Sequence, residues 1–310
     1  MAVLKVRGEK SCDPNDDGRG VNMDSAQLQA LMMERVEAMP NKARRVVEYL
    51  LSNMREAAFR SIGDVAEDLN VSKAQLVRVA RMLGFDGYSE LKDALQKAIL
   101  EQVNPAAMLA KVSSSEESLP DTIYRMEHAN LDDTWSQMSA SSVSVFCDMV
   151  QRARNIYCIG WGISSMVAES LQVRLRVMNL NSFLLKRGTL TLHEQVRVAG
   201  KEDLLVVCEL PSYVVEVTES VETAHNNGCK VISITDSPAA PVCRFAELSM
   251  YVSASSPTFG SSIIGPLFLV HVITSVLAIR MGDRAKKALE EQAKFLHDER
   301  IFHPVFGLRY

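Results

Sequence analysis

The chain has 310 residues, enough for two domains, and its apolar share of 47% and charged share of 23% are ordinary for a globular protein. Its 34 Lys and Arg against 38 Asp and Glu leave a formal charge of -4, which excludes a polycation, so any nucleic-acid surface must be local. Cys12, Cys147, Cys158, Cys208, Cys229 and Cys243 include no pair separated by two residues, which argues against a zinc ribbon or a thioredoxin-like centre. Free thiols in a reducing cytoplasm are the expectation, with no metal and no cofactor.

Residues 1–24 are polar and charged around Asp13-Pro14-Asn15-Asp16-Asp17-Gly18, as expected of a disordered leader. Residues 25–101 are helix-rich, with about five helices expected. Within them, Ser61 to Phe85 predicts two short helices joined by the turn Asn70-Val71-Ser72. The first is expected to bury Val65, Ala66 and Leu69. The second, capped by Ser72, is expected to bury Leu76, Val77, Ala80 and Leu83, at helical spacing. Its other face carries Lys73, Gln75, Arg78 and Arg81. One face that locks a helix pair and one free basic face is what a helix-turn-helix needs to enter a DNA major groove. Arg44, Arg45 and Arg60 are candidates to extend that surface, and Arg78 is also a candidate to pair with a carboxylate of its own domain. A solvated helix face is the bland alternative.

Residues 102–120, with Pro105, Ser113-Ser114-Ser115-Glu116-Glu117 and Pro120, read as a linker. From Asn155 the period changes. Strands are expected at Ile156–Ile159, Ser182–Leu185, Leu204–Cys208, Lys230–Ile234 and Leu248–Val252, with helices between them, so 121–310 reads as a five-stranded parallel sheet covered on both faces. The apolar run Ile263–Ile279 contains Pro266, His271, Thr274 and Ser275, and is expected to be a buried helix rather than a membrane span. Gly160-x-Gly162 with Ser164 and Ser165 opens a helix after a strand. It is either an anion-binding loop or a plain tight turn. Glu209, at the carboxyl end of a central strand, is a candidate for ligand contact or for pairing with Lys186 or Arg187, ahead of general-base work. Ser255, Ser256, Ser261 and Ser262 are weaker pocket candidates.

The run Val71-Ser72-Lys73-Ala74, Val77-Arg78, Leu83-Gly84-Phe85-Asp86-Gly87-Tyr88 and Leu91-Lys92 resembles the signature of the RpiR family of bacterial transcription regulators. The resemblance covers about residues 28–300. It implies an N-terminal all-α helix-turn-helix bundle followed by an α/β sugar-isomerase (SIS) domain of flavodoxin type. Gln75 departs from the usual threonine of the family. His193 resembles the histidine common after the second strand, and Thr235 ends the fourth strand as in the family. The family's phosphate loop, Ser-x-Ser-Gly-x-Thr, falls on Glu209-Leu210-Pro211-Ser212-Tyr213-Val214, where none of the three hydroxyls is kept.

The resemblance implies a cytoplasmic regulator that binds double-stranded DNA through Ser72, Lys73, Gln75, Arg78 and Arg81. Its α/β domain would form a homodimer or homotetramer. That domain would take a small effector, a carbohydrate derivative, at Gly160, Gly162, Ser164, Ser165, Lys186, His193, Glu209, Ser212 and Thr235, with no membrane partner. A sugar-phosphate isomerase and a regulator with a purely structural α/β domain are the rivals. With Glu209 and Pro211 in the loop, sugar phosphates are expected to bind weakly. A neutral or amine-bearing ligand at Glu209 is the alternative to an anion held by 160–165.

Overall fold

The computed structural model describes residues 25–102, 106, 109, 118–301 and 303. The expected leader and most of the expected linker lie outside the described residues. The N-terminal part holds six helices: α1 (Ser25–Val36), α2 (Asn41–Ser52), α3 (Met54–Phe59), α4 (Ile62–Asp68), α5 (Lys73–Met82) and α6 (Tyr88–Gln102). One more is present than the five expected, because Asn53 splits a short α3 from α2. Leu28, Met32, Leu50, Leu76, Leu83, Leu91 and Leu95 are buried together in one core.

Capping defines the central helix pair. Ser61 caps α4 in a reciprocal box with Asp64, and Ser72 caps α5 by accepting from the Gln75 N–H at 3.2 Å. The turn between them passes through Asn70 in the left-handed region, at φ 50°, where a short amide side chain is better tolerated than most. The phase of α5 differs from expectation at one position. Leu76, Val79 and Ala80 are its buried residues, and Val77 only packs at the edge. Positions 76, 79, 80 and 83 form the inward stripe of a 3.6-residue helix, and 77 falls beside it. Leu69 likewise sits at the rim rather than inside.

The second part begins with α7 (Leu119–Gln137) and α8 (Ala140–Arg152). Then β1 (Ile156–Ile159), α9 (Ile163–Val177), β2 (Ser182–Leu185), α10 (Leu192–Val196), β3 (Leu204–Glu209), α11 (Val215–Asn226), β4 (Lys230–Thr235), a 3-10 turn (Pro241–Phe245) and β5 (Leu248–Tyr251) alternate. Among the described residues the last two helices are α12 (Ile264–Met281) and α13 (Asp283–Asp298). All four strand pairings are parallel, in the order β2-β1-β3-β4-β5. All six residues of the central strand β3 are buried, as a sheet covered on both faces requires. Leu204, Val206 and Cys208 face the core under α8, α9 and α12, while Leu205 and Val207 face α10 and α11. The same alternation turns Glu209 toward the α11 side.

Helix α12 is long and apolar enough to cross a membrane by length and composition. Its Leu269, Val270, Ile273 and Leu277 are nevertheless buried in the same core as Cys158 and Val206. It is a covering layer of the sheet, as the sequence predicts.

Candidate DNA-reading face and ligand cleft

The free face of α5 carries Lys73 and Arg78 in solvent, with Gln75 half-buried beside the turn. Among the described residues no carboxylate pairs with Arg78, which leaves its guanidinium available to an external anion. Arg81 is exposed, but its Nε donates to the Asp86 carbonyl at 3.1 Å, which bends it back toward the end of its own helix. Arg60 is ion-paired with Asp68, and Arg44 donates to the Glu37 carbonyl at 2.8 Å. Neither extends the basic face.

Lys42 and Arg45 of α2 line a groove of about 220 Å³ with Asn70, Val71, Ser72 and Gln75. Arg45 was among the sequence candidates, and Lys42 was not. Its only sequence signal is the three-residue spacing to Arg45, which places both near one another on α2. The groove therefore brings two cations to the N-terminal end of α5. That end also favours anions through its unpaired N–H groups and dipole.

The second site lies where β1 and β3 run side by side and their connections leave in opposite directions. In an open parallel sheet of this order, that crevice at the carboxyl ends is the switch point at which ligands bind. It is lined by Trp161, Gly162, Ile163 and Ser164 after β1, and by Glu209 to Val214 after β3, and encloses about 80 Å³. Gly160 lets the loop after β1 fold tightly onto the start of α9: a Cβ there would come within 2.7 Å of the Ser164 carbonyl oxygen. Ser164 is buried and accepts the Leu210 N–H at 3.1 Å, tying the two loops together. Ser165 points elsewhere and donates to the Gly162 carbonyl at 2.7 Å.

Glu209 is only 3% exposed. One carboxyl oxygen accepts the Val214 N–H at 3.2 Å, and the other is buried without a partner. Burial pushes the Glu209 pKa up to about 7, with the Val214 N–H pulling the other way. Thr235 is fully buried and is the register partner of Glu209 across β3 and β4. Ser212 lines the cleft with φ 112°, outside the usual range for a side-chain-bearing residue.

Three expected site residues fall away from this group. The Lys186 ammonium is ion-paired with Glu169 at 2.9 Å, on the exposed side of α9. Arg187 lies 3.7 Å from Glu216, so neither cation meets Glu209. His193 is exposed on α10, with its ring 3.4 Å from the Thr223 hydroxyl of α11. The late serines also serve other ends. Asn130 holds the backbone of Ser255, with its amide donating to the carbonyl at 2.8 Å, and Ser262 donates to Glu127 at 2.7 Å.

The sequence matches the helix-turn-helix domain of the rpiR family over residues 26–102 and the SIS domain over residues 149–276. It is 24% identical over 255 residues to the HTH-type transcriptional regulator HexR of Pseudomonas aeruginosa, covering 81% of this chain and 89% of that one. It is 24% identical over 226 residues to the HTH-type transcriptional regulator RpiR of Escherichia coli, covering 68% and 71%. Its fold is similar to that of the Vibrio vulnificus NanR protein complexed with ManNAc-6P. The TM-score is 0.58 at 24% identity, over 87% of this chain and 98% of that one.

Proposed function

Because the chain belongs to the RpiR family, with an rpiR-type helix-turn-helix domain and a SIS domain, we propose that it is a transcription regulator that reads DNA through α5 and senses a small ligand in its switch-point cleft. The observation that carries the DNA half is the free face of α5 beside the Lys42 and Arg45 groove. Lys73 and Gln75, near the N-terminus of α5, are the base readers in this reading. Arg78 and the groove cations bind phosphate. Gln75→Ala should cost about 1–3 kcal/mol of discrimination at a single base position, since glutamine pairs bidentately with adenine. Lys42→Ala and Arg45→Ala should instead weaken all duplexes alike and flatten the salt dependence by about one unit each. Selection from random duplexes, followed by binding across a salt series, checks both. Failure of the wild type to enrich any motif would overturn the reading.

The ligand half rests on the cleft at the crossing of β1 and β3, where Glu209 and the Ser164–Leu210 bridge meet. The NanR structure holds ManNAc-6P, which supports a carbohydrate-derived effector for this chain too. We take the α/β domain as a sensor acting in the cytoplasm rather than as an isomerase. The regulator names of the relatives support that choice, and a coupled assay that detected turnover of a sugar phosphate would refute it.

A helix-turn-helix head reads two half-sites only as a dimer. We place the second copy on the apolar groove of α12 and α13, where Ile279 is 81% exposed and Leu289 45% exposed. Ile279→Lys is therefore expected to shift the full chain from dimer or tetramer toward monomer in light scattering, and to weaken operator binding with it. A wild type that is monomeric at micromolar concentration would remove the proposal.

A further inference from the structure

We propose that the effector of the cleft carries a protonated amine, which seats against the free oxygen of Glu209 beside Trp161; the inference rests on the cleft being the effector site. The argument starts from which donors the cleft has left to give. The Leu210 N–H is taken by Ser164, the Val214 N–H by Glu209, and Pro211 has none. The carboxyl of Glu209 itself occupies the N-terminal end of α11, where an external anion would otherwise find its N–H groups and dipole. A phosphate brought here meets a carboxylate in a desolvated site, and like charges there are poorly screened.

What the second oxygen of Glu209 lacks is a donor. The second Glu209 oxygen is buried and unpartnered, Glu209 is one of the residues that line the cleft, and among the described residues no cation pairs with the carboxylate. A buried acceptor left unsatisfied is costly, and an ammonium satisfies it while also cancelling its charge. Trp161 borders the same volume, half exposed, and an indole is the best side chain for holding a cation by its π face. A hydroxyl would satisfy the oxygen but leave the charge uncancelled.

The proton count gives a signature. Around Glu209, burial raises the Cys243 thiol of the 3-10 turn, the hydroxyls of Ser249 and Ser233 lower it, and the Glu209 charge raises it further. Burial alone pushes Cys208 of β3 up to about 12. Tyr213 donates to Asp236 at 2.9 Å at the end of β4, and Glu216 of α11 accepts the Leu192 N–H. Lys186 and Arg187 are engaged elsewhere. Burial, opposed by the Val214 N–H, brings the Glu209 pKa up to about 7. An ammonium binds its ionised form, so affinity falls about tenfold from pH 8 to pH 6. A neutral polyol has no such slope, and an anion has the opposite one.

The test uses three probes small enough for the cleft: ethanolamine, ethylene glycol and sulfate. Each is titrated into the full chain while the Leu210 and Val214 amides are followed by NMR at pH 6 and pH 8. Ethanolamine is expected to shift both amides, about tenfold more weakly at pH 6. Glu209→Gln should abolish that response and let sulfate bind. The pH series on the wild type stands by itself should the variant not fold. Equal or stronger shifts with ethylene glycol or sulfate in the wild type would overturn the amine assignment but keep the cleft as a ligand site. Silence of both amides toward all three probes, in wild type and variant, would overturn the ligand site itself.

Discussion

Glu209→Gln is expected to shift the pH dependence of stability by about 3 kcal/mol between pH 4.5 and pH 8, with the variant gaining on the wild type as pH rises. The sign follows from the direction of the shift. Burial raises the Glu209 pKa from 4.5 to about 7, so between those values the folded chain holds a proton that the unfolded chain has released. Where the folded state binds more protons, stability falls with rising pH. The penalty is absent below about 4.5 and complete above about 7. Glutamine has the same shape, keeps an oxygen for the Val214 N–H, and never ionises. Its amide leaves one buried N–H₂ near the position of the orphaned oxygen, which costs a fixed amount at every pH. The difference between two pH values cancels that offset, so the slope is the quantity to read. Urea unfolding of both proteins from pH 4.5 to 8 provides it. Parallel curves would mean that Glu209 is solvated and that the cleft is not the desolvated site described above.

How far the sequence carries is clearest at the strands. Ile156–Ile159 and Ser182–Leu185 are found at their expected bounds, because short apolar runs with a polar or glycine stop have one way to pair in a covered parallel sheet. The missed elements are the short ones. Helix α10 is five residues long, and its one signal was Thr191 with Glu194 three positions on, a capping box that the structure forms in full. The site divides the same way. Local features such as the glycine loop and the carboxyl end of β3 are legible from order along the chain. The partners of Lys186 and His193 are not, since Glu169 and Thr223 lie 17 and 30 residues away and are brought in by packing alone. Lys42 joins the DNA-reading end of α5 through the contact of α2 with that helix, which no local pattern encodes.

Gly265→Ala is expected to destabilise the α/β domain by about 3 kcal/mol or more, near the upper end for overpacking a core. Gly265 sits in the first turn of α12, where the helix passes the loop after β5 and the side of α7. A Cβ there would lie 2.3 Å from the Ser253 carbonyl oxygen and 2.7 Å from the Thr134 hydroxyl. The first is backbone and cannot rotate away. Nor can the loop yield cheaply, because it is pinned from the other side. Thr134 accepts the Ser253 N–H at 2.9 Å, and Asn130 accepts the Ser255 N–H at 3.0 Å and the Ser253 hydroxyl at 2.9 Å. Asn130 and Thr134 are themselves buried, so displacing the loop leaves several polar groups unpaired in a dry environment. Thr134→Ser keeps the hydroxyl that a Cβ at position 265 would meet at 2.7 Å and removes only a methyl. Combined with Gly265→Ala it should recover little, since the carbonyl contact remains. A Gly265→Ala chain that unfolds at the wild-type urea midpoint would show that α12 can shift away from β5. The packing that holds the covering layer over the sheet would then be looser than these contacts require.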